Sequence, residues 1–228
     1  MTSTGILDRP PRPAPPLPPV DDGGRDDGFG GGGNDGFGSS GPPFSVSRIG
    51  LFILIGSIVM LFAGFLTVYM ILRYSSPEWP PKTLPPLPAG LWISTAIIVL
   101  SSFTAQRFRT AVDRAGPLTT KRWIAATFAL GGAFCAVQGF CWQHVYERGL
   151  DLRSSQYAAS FYCLTAVHFV HILGGLFYLA LGYHGVANRW SAEESARAAI
   201  RDRLANGAIY WHFVGGLWYL LFAILYLF

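Results

Sequence analysis

Five long stretches of apolar residues decide what this chain can fold into. They are separated by short polar segments and cover residues 49–72, 91–108, 123–146, 157–187 and 207–228. A helix needs roughly 20 apolar residues to cross a hydrocarbon core of about 30 Å. Charged residues make up only 13% of the chain, against roughly 25% in soluble proteins. We therefore predict an all-α integral membrane bundle of five transmembrane helices, and the composition excludes a water-soluble enzyme.

The first 47 residues have a different composition from the rest of the chain. A Pro-rich segment is followed by a segment rich in Gly and Asp, and the two together hold three Arg against six Asp. So few apolar side chains cannot offset the entropy of ordering the backbone. We predict a disordered tail over residues 1–47 and a five-helix domain over residues 48–228. No apolar stretch follows the charged start, so we expect no signal peptide.

The Lys and Arg residues predict the orientation in the membrane. Thirteen of the 17 lie in the tail, with Arg48, or in the loops that follow the second and fourth stretches. Because basic loops stay on the cytoplasmic side, the N-terminus is predicted inside and the C-terminus outside. The same bias explains the isoelectric point of about 9.1, so a nucleic-acid partner is not needed.

Other residues predict where the helices begin and end. Ser191 and Glu194 have the spacing of a capping box, and Asn206-Gly207 is typical of a break. These signals favour a short separate helix before the fifth span, the alternative being a continuous extension of that span. Six of the seven Trp residues lie near span ends, as in an interfacial aromatic belt. They are Trp79, Trp92, Trp123, Trp142, Trp190 and Trp211.

Polar side chains inside the spans are costly in lipid and point to partners or function. His168 and His171 are three residues apart, which predicts that both face one side of the fourth helix. Four interpretations compete: b-type haem ligands, a metal site, a proton relay, and hydrogen bonds between helices. The last is favoured, because lipid offers no hydrogen-bonding partner. The candidates for these inter-helix contacts are Gln138, His168, His171, Trp211 and His212.

Small residues in the spans predict close helix packing. The Gly pairs at 131–132, 174–175 and 215–216 give helix faces with little bulk, which lets backbones approach. The three cysteines lie inside spans without CxxC spacing, so we expect neither a disulfide nor redox chemistry. They are Cys135, Cys141 and Cys163. The residues alone indicate a subunit of a membrane complex or a small transporter.

The chain from about residue 48 onward resembles cytochrome oxidase subunit III, the third subunit of the haem–copper oxygen reductases. The motifs appear in the family's order: residues 57–65, WPP at 79–81, SSFT at 101–104, Gln138 with Trp142, YAASF at 157–161, LTAVHFVHILGG at 164–175, and YWHFV at 210–214 with Trp218. The family has forms of seven and five spans, and this chain resembles the shorter form.

The resemblance implies a non-catalytic subunit of a proton-translocating complex that reduces oxygen to water in aerobic respiration. We expect no catalytic, cofactor or metal ligands in this chain, with haem and copper held by partner subunits. The implied partners are oxidase subunit I, as the main contact, subunit II, and membrane phospholipid. A larger respiratory supercomplex and a prokaryotic inner membrane are also implied. The electron donor, cytochrome c or quinol, would bind other subunits.

The chain departs from the family pattern at three intramembrane carboxylates. The family's acidic positions are occupied by Ile58, Cys141 and Gly215. Their joint loss leads to the hypothesis that this subunit supports the complex without titrating inside the membrane.

The sequence leaves three other functions open. An accessory subunit of nitric oxide reductase would have the same fold and similar signatures. A b-haem electron carrier would use His168 or His171 with His212 as ligands. A small transporter should show internal repeats and broken helices, and no pair of Pro-interrupted spans is present.

Overall fold

The structure is a computed structural model that describes residues 46–79, 89–190 and 193–227. The described residues form five helices, each long and apolar enough to cross a membrane, so the predicted five-helix bundle is confirmed. The predictions for residues 1–45 and for Ser191 lie outside the described residues. The helices are α1 (Val46–Ser75), α2 (Gly90–Arg114), α3 (Gly116–Glu147), α4 (Gln156–Asn188) and α5 (Glu194–Leu227).

Four of the helices close into a ring. α2 packs against α3, α3 against α4, α4 against α5, and α5 returns to α2. Within the described residues, α1 packs against α4 and α5 alone. The core of the ring is apolar and is centred on Ile98, Phe134, Ile172, Trp211 and Trp218, each at most 2% exposed. The fold is therefore a four-helix bundle with one further helix on its outer side.

Two glycines with positive φ set the turns on either side of α3. Gly116 (φ 78°) starts the helix, and Ala115 is the only residue between α2 and α3. At the other end, Gly149 (φ 91°) follows the last turn, and Leu150 N–H donates to the Val145 carbonyl over 2.9 Å. This is the Schellman arrangement, in which glycine adopts the left-handed conformation at low cost. The two turns place α2 and α4 on either side of α3.

The break predicted at Asn206-Gly207 is wrong, because α5 continues through both residues. Its 34 residues extend about 51 Å at 1.5 Å per residue, which exceeds the roughly 30 Å hydrocarbon core. Gly207 serves close packing instead: a Cβ there would lie 3.1 Å from the Tyr178 ring. Asn206 is buried, and its Nδ2 donates to Ser47 Oγ of α1 over 3.2 Å. The continuous extension is the correct alternative.

α1 is attached to the bundle by a narrow stripe. Its buried residues are Ile58, Phe62 and Tyr69, which lie on one face at helical spacing. Many of its other side chains are apolar and exposed, such as Met60 at 75% and Ile53 at 66%. An apolar helix with so small a buried face needs lipid or another protein around it.

An aromatic clamp fixes the C-terminal part of α1 to the bundle. The clamp consists of Tyr69, Trp79 and Tyr157, with Trp79 edge-on to both tyrosines at centroid distances of 5.4 and 5.3 Å. Trp79 Nε1–H donates to Tyr69 Oη over 3.1 Å, and the Tyr69 hydroxyl donates to the Ile224 carbonyl over 3.5 Å. The segment after α1 therefore folds back and joins α1, α4 and α5.

Candidate functional site, the polar contacts between helices

Trp211 joins all four helices of the ring. It is 2% exposed, and its Nε1–H donates to Ser101 Oγ of α2 over 3.0 Å. Its ring lies against Gly131 of α3 and Gly175 of α4, where an added Cβ would be 2.7 and 3.1 Å from the ring atoms. Trp211 is therefore a buried packing residue, and its assignment to an interfacial belt is wrong.

One glycine of each predicted pair makes the close approach. Gly131 and Gly175 contact Trp211, and a Cβ on Gly215 would lie 3.3 Å from Ile98 and Ser102. Their neighbours have space, since a Cβ at Gly132 or Gly216 would meet nothing within 4 Å. The small faces thus let large rings of the next helix fit between backbones.

Hydroxyl side chains form most of the inter-helix hydrogen bonds. Trp218 Nε1–H donates to Thr95 Oγ1 over 3.0 Å, and Trp142 Nε1–H donates to Thr165 Oγ1 over 3.2 Å. The Thr127 hydroxyl donates to Thr104 Oγ1 over 2.8 Å. These Ser and Thr residues were not among the candidates predicted from the sequence for contacts between helices. The available signals were their recurrence in spans two to four and the place of Thr104 and Thr165 in the motifs that resemble the family. Neither signal identifies a partner, because Ser and Thr can equally bond their own helix, as Thr165 also does.

His168 lies at the centre of the bundle. It is fully buried between Phe134 and Trp218, at ring-centroid distances of 6.0 and 5.3 Å. Neither ring nitrogen has a hydrogen-bond partner among the described residues, and the same holds for Oε1 of buried Gln138. That these two residues tie helices together by hydrogen bonds stays a prediction. The aromatic rings on both sides of His168 disfavour a haem at this histidine.

His171 lies in a different environment from His168, although the two are only three positions apart on α4. Its Nδ1–H donates to the Val167 carbonyl over 2.7 Å, and its ring packs edge-on against Phe62 of α1 at 5.6 Å. The Tyr210 hydroxyl donates to the His171 carbonyl over 3.0 Å and links α5 to α4. The two histidines thus point to different helices, so the expectation that both face one side is wrong. His212 is half-buried on α5, and its role stays a prediction.

The three positions that lack the family's carboxylates are all buried. Ile58 is 3% exposed among the apolar residues that hold α1, and Cys141 is 4% exposed between α2 and α3. Gly215 is buried against α2. A Cβ at Gly215 would lie 3.3 Å from the hydroxyl of Ser102. A carboxylate would have to be desolvated at each position.

A cleft separates α1 from the bundle near the N-terminal end of α1. Its volume is about 510 Å³, and its lining is mostly apolar. Leu51 and Leu54 line it from α1, Val170 and Gly174 from α4, and Asn206 and Tyr210 from α5. The arrangement suits an apolar chain with a few polar groups nearby.

The described residues contain no group of three or more His, Cys, Asp or Glu side chains placed to hold a metal ion. The three cysteines are free thiols.

Comparison with known proteins gives one consistent family. The family model described as cytochrome c oxidase subunit III matches residues 44–228. A probable cytochrome c oxidase subunit 3 from Nocardia farcinica is 32% identical over 184 residues, 78% of this chain and 86% of that protein. A probable cytochrome c oxidase subunit 3 of Mycobacterium tuberculosis is 30% identical over the same shares. A cytochrome c oxidase subunit 3 of Thermostichus vulcanus is 30% identical over 82% of this chain and 88% of that protein.

Proposed function

Because this chain belongs to the cytochrome c oxidase subunit III family, we propose that it supports a haem–copper oxidase by packing on subunit I. The chain is subunit III of such an oxidase, a subunit of an oxidoreductase complex without a catalytic centre of its own. The observation that carries the proposal is the match of a family model across the whole five-helix domain. The exposed apolar side chains of α1 and α2 supply surface for the contact. Subunit II and a larger respiratory supercomplex are further partners.

Purification through a tag on this chain tests the proposed partners. In a mild detergent we expect subunits I and II to be retained, together with haem absorbance and oxygen reduction. Removing subunit I should remove all haem absorbance from the fraction that holds this chain. Haem that stays with the isolated chain would contradict the proposal and favour an electron carrier. Retention of a nitric oxide reductase subunit in place of subunit I would favour the accessory role.

We further propose that the chain assists proton pumping without titrating inside the membrane. Its three buried positions Ile58, Cys141 and Gly215 carry no carboxylate, and Ile58 is surrounded by apolar side chains. Gln138, His168, His171, Trp211 and His212 act in this proposal as structural contacts between helices. The subunit then affects turnover by stabilising subunit I.

An Ile58→Glu variant tests that proposal in the reconstituted oxidase, with Ile58→Gln as the uncharged control. A charge at this depth costs roughly 2.5–3.5 kcal/mol on insertion scales. We expect weaker retention of the subunit and no gain in proton uptake. Faster proton uptake, or slower inactivation during turnover, with Glu but not with Gln would contradict the proposal.

The cleft beside α1 is proposed to bind a phospholipid acyl chain. Its apolar lining and volume of about 510 Å³ support this assignment. A Cβ at Gly174 would make only ordinary contact with Tyr210, so Gly174→Leu fills the cleft without a clash in the bundle. We expect this variant to retain less lipid than Gly132→Leu, whose position is exposed. Equal lipid content in both variants would contradict the assignment.

A further inference from the structure

A second pocket lies between the end of α4 and the start of α5, away from the residues that line the α1 cleft. Its volume is about 210 Å³. Four small residues line it and leave space between the helices: Gly182 and Gly185 from α4, and Ala196 and Ala199 from α5. A Cβ at Gly185 would meet nothing within 4 Å, so the pocket is open at this position. We call it the interfacial pocket.

Two arginines line the interfacial pocket, Arg189 from the end of α4 and Arg203 from α5. Neither guanidinium forms an ion pair with a described residue, whereas the other two arginines of α5 do. Arg197 pairs with Glu194 over 2.9 Å, and Arg201 pairs with Asp113 of α2 over 3.3 Å. The arginines of this region are therefore divided into a paired set and a pocket-lining set.

The position of its arginines relative to the apolar stretches predicts that the pocket lies at the depth of the lipid headgroups. Arg203 is four residues, about one helical turn, before residue 207, where the apolar stretch of α5 begins. Arg189 directly follows the last helical residue of α4. Basic pockets between transmembrane helices at this level are suited to anionic headgroups.

The local helix ends do not cancel this positive charge. The C-terminal carbonyls of α4 carry a partial charge of roughly −0.5, and the N-terminus of α5 carries a similar positive one. Glu194 lies on the same helix, but its carboxylate is engaged by Arg197 and Arg201. Two full positive charges thus outweigh the partial charge of the α4 carbonyls.

We propose that the interfacial pocket binds the phosphate of an anionic phospholipid between Arg189 and Arg203. The acyl chains of this lipid lie outside the pocket, in the bilayer. The proposal rests on the chain spanning the membrane, and it is independent of the lipid assigned to the α1 cleft. Its failure would leave the proposed oxidase function unaffected.

Native mass spectrometry of the purified oxidase complex tests the proposal with phosphatidylglycerol and phosphatidylcholine as probes. Each cationic side chain near a membrane surface contributes about a five-fold gain in affinity for an anionic lipid. The double variant Arg189→Gln and Arg203→Gln should therefore weaken phosphatidylglycerol binding roughly thirty-fold. Phosphatidylcholine binding should not change. Arg203→Lys should retain most of the affinity, because it keeps the charge.

The matched control is Arg201→Gln, which removes the same charge from the same helix two residues away. It should weaken phosphatidylglycerol binding much less than Arg203→Gln does, because Glu194 keeps its ion pair with Arg197. Gly185→Leu should abolish binding at this site with every charge in place. Arg189 and Arg203 are exposed, so their variants should assemble with normal subunit content. If the double variant does not assemble, the test is the comparison of phosphatidylglycerol binding between Arg203→Gln and Arg203→Lys.

Three results would overturn the proposal. The first is equal weakening by Arg201→Gln and Arg203→Gln, which would indicate general surface charge. The second is unchanged phosphatidylglycerol binding in the double variant or, if that variant does not assemble, in Arg203→Gln. The third is displacement of phosphatidylglycerol by millimolar inorganic phosphate, which would make the site one for the free anion.

Discussion

Trp211 shows how a single residue can set the spacing of a membrane bundle. Lipid tails are as apolar as a core side chain, so apolar burial does little to drive helices together in a membrane. Close packing and hydrogen bonds must supply the association. Trp211 provides both, since its ring fits against Gly131 and Gly175 and its Nε1–H reaches Ser101. Substitutions around this ring should therefore have large effects.

Gly131→Ala is expected to destabilise the subunit, whereas Gly132→Ala should be neutral. The new Cβ at 131 would lie 2.7 Å from both Leu176 and Trp211, and the one at 132 would meet nothing within 4 Å. Overpacking of a core costs about 1–3 kcal/mol. The free energy of unfolding in mixed micelles measures the difference. Equal values for the two variants would show that Trp211 can move aside freely.

A double-mutant cycle should detect the hydrogen bond between Trp211 and Ser101. We expect a coupling free energy of about 0.6–1.7 kcal/mol between Trp211→Phe and Ser101→Ala, between the average and the maximum measured for hydrogen bonds between membrane helices. Trp211→Phe paired with Thr95→Ala is the control, because Thr95 accepts from Trp218. A coupling no larger than that of the control pair would contradict the bond.

Polar partners were harder to predict from the sequence than apolar spans. Trp211 and Gly131 stand out in the sequence as a large and a small residue in apolar segments. Thr95 does not, and Ser101 does so only as part of the SSFT motif, which gives it no partner. A Ser or Thr in a helix can also bond the carbonyl of the preceding turn, so its partner cannot be read from the sequence. Thr95 does so as well, donating to the Leu91 carbonyl. Only the packed structure shows which hydroxyls also accept from another helix.

At the scale of elements, the apolar spans were predicted close to their observed bounds, and the errors lie at the water-exposed ends. α4 extends over Gln156–Asn188, against a predicted 157–187. α5 begins at Glu194, 13 residues before the predicted start at 207. Hydropathy marks where a helix enters lipid and says little about its length in water. Asn206-Gly207 misled the prediction because its function is contact with neighbouring helices.

α1 is the element most dependent on a few contacts. Tyr69→Phe should loosen its clamped end, because the clamp loses the hydroxyl that accepts from Trp79 and donates to Ile224. Spin labels at Tyr74 of α1 and Leu220 of α5, both exposed, should report a broader distance distribution. Tyr183→Phe is the control, since Tyr183 is exposed on α4. An unchanged distribution would mean that the apolar stripe alone holds α1.

At the scale of the whole molecule, charge on the loops predicts the sidedness of the subunit in the inner membrane. We propose that the N-terminus is cytoplasmic and that the α3–α4 loop and the C-terminus face outside, since Lys and Arg cluster at the adjoining ends of α2 and α3 and of α4 and α5. In a background without the native cysteines, Ser154→Cys should react with an impermeant maleimide in intact cells. Arg114→Cys should react only after lysis. The reverse pattern would contradict the orientation.

The single-residue turn at Ala115 has a consequence for biogenesis. α2 is the least apolar of the five spans, and only this residue separates it from α3. A marginal segment partitions poorly from the translocon by itself. We therefore expect the nascent α2 to enter the bilayer together with α3, as one hairpin.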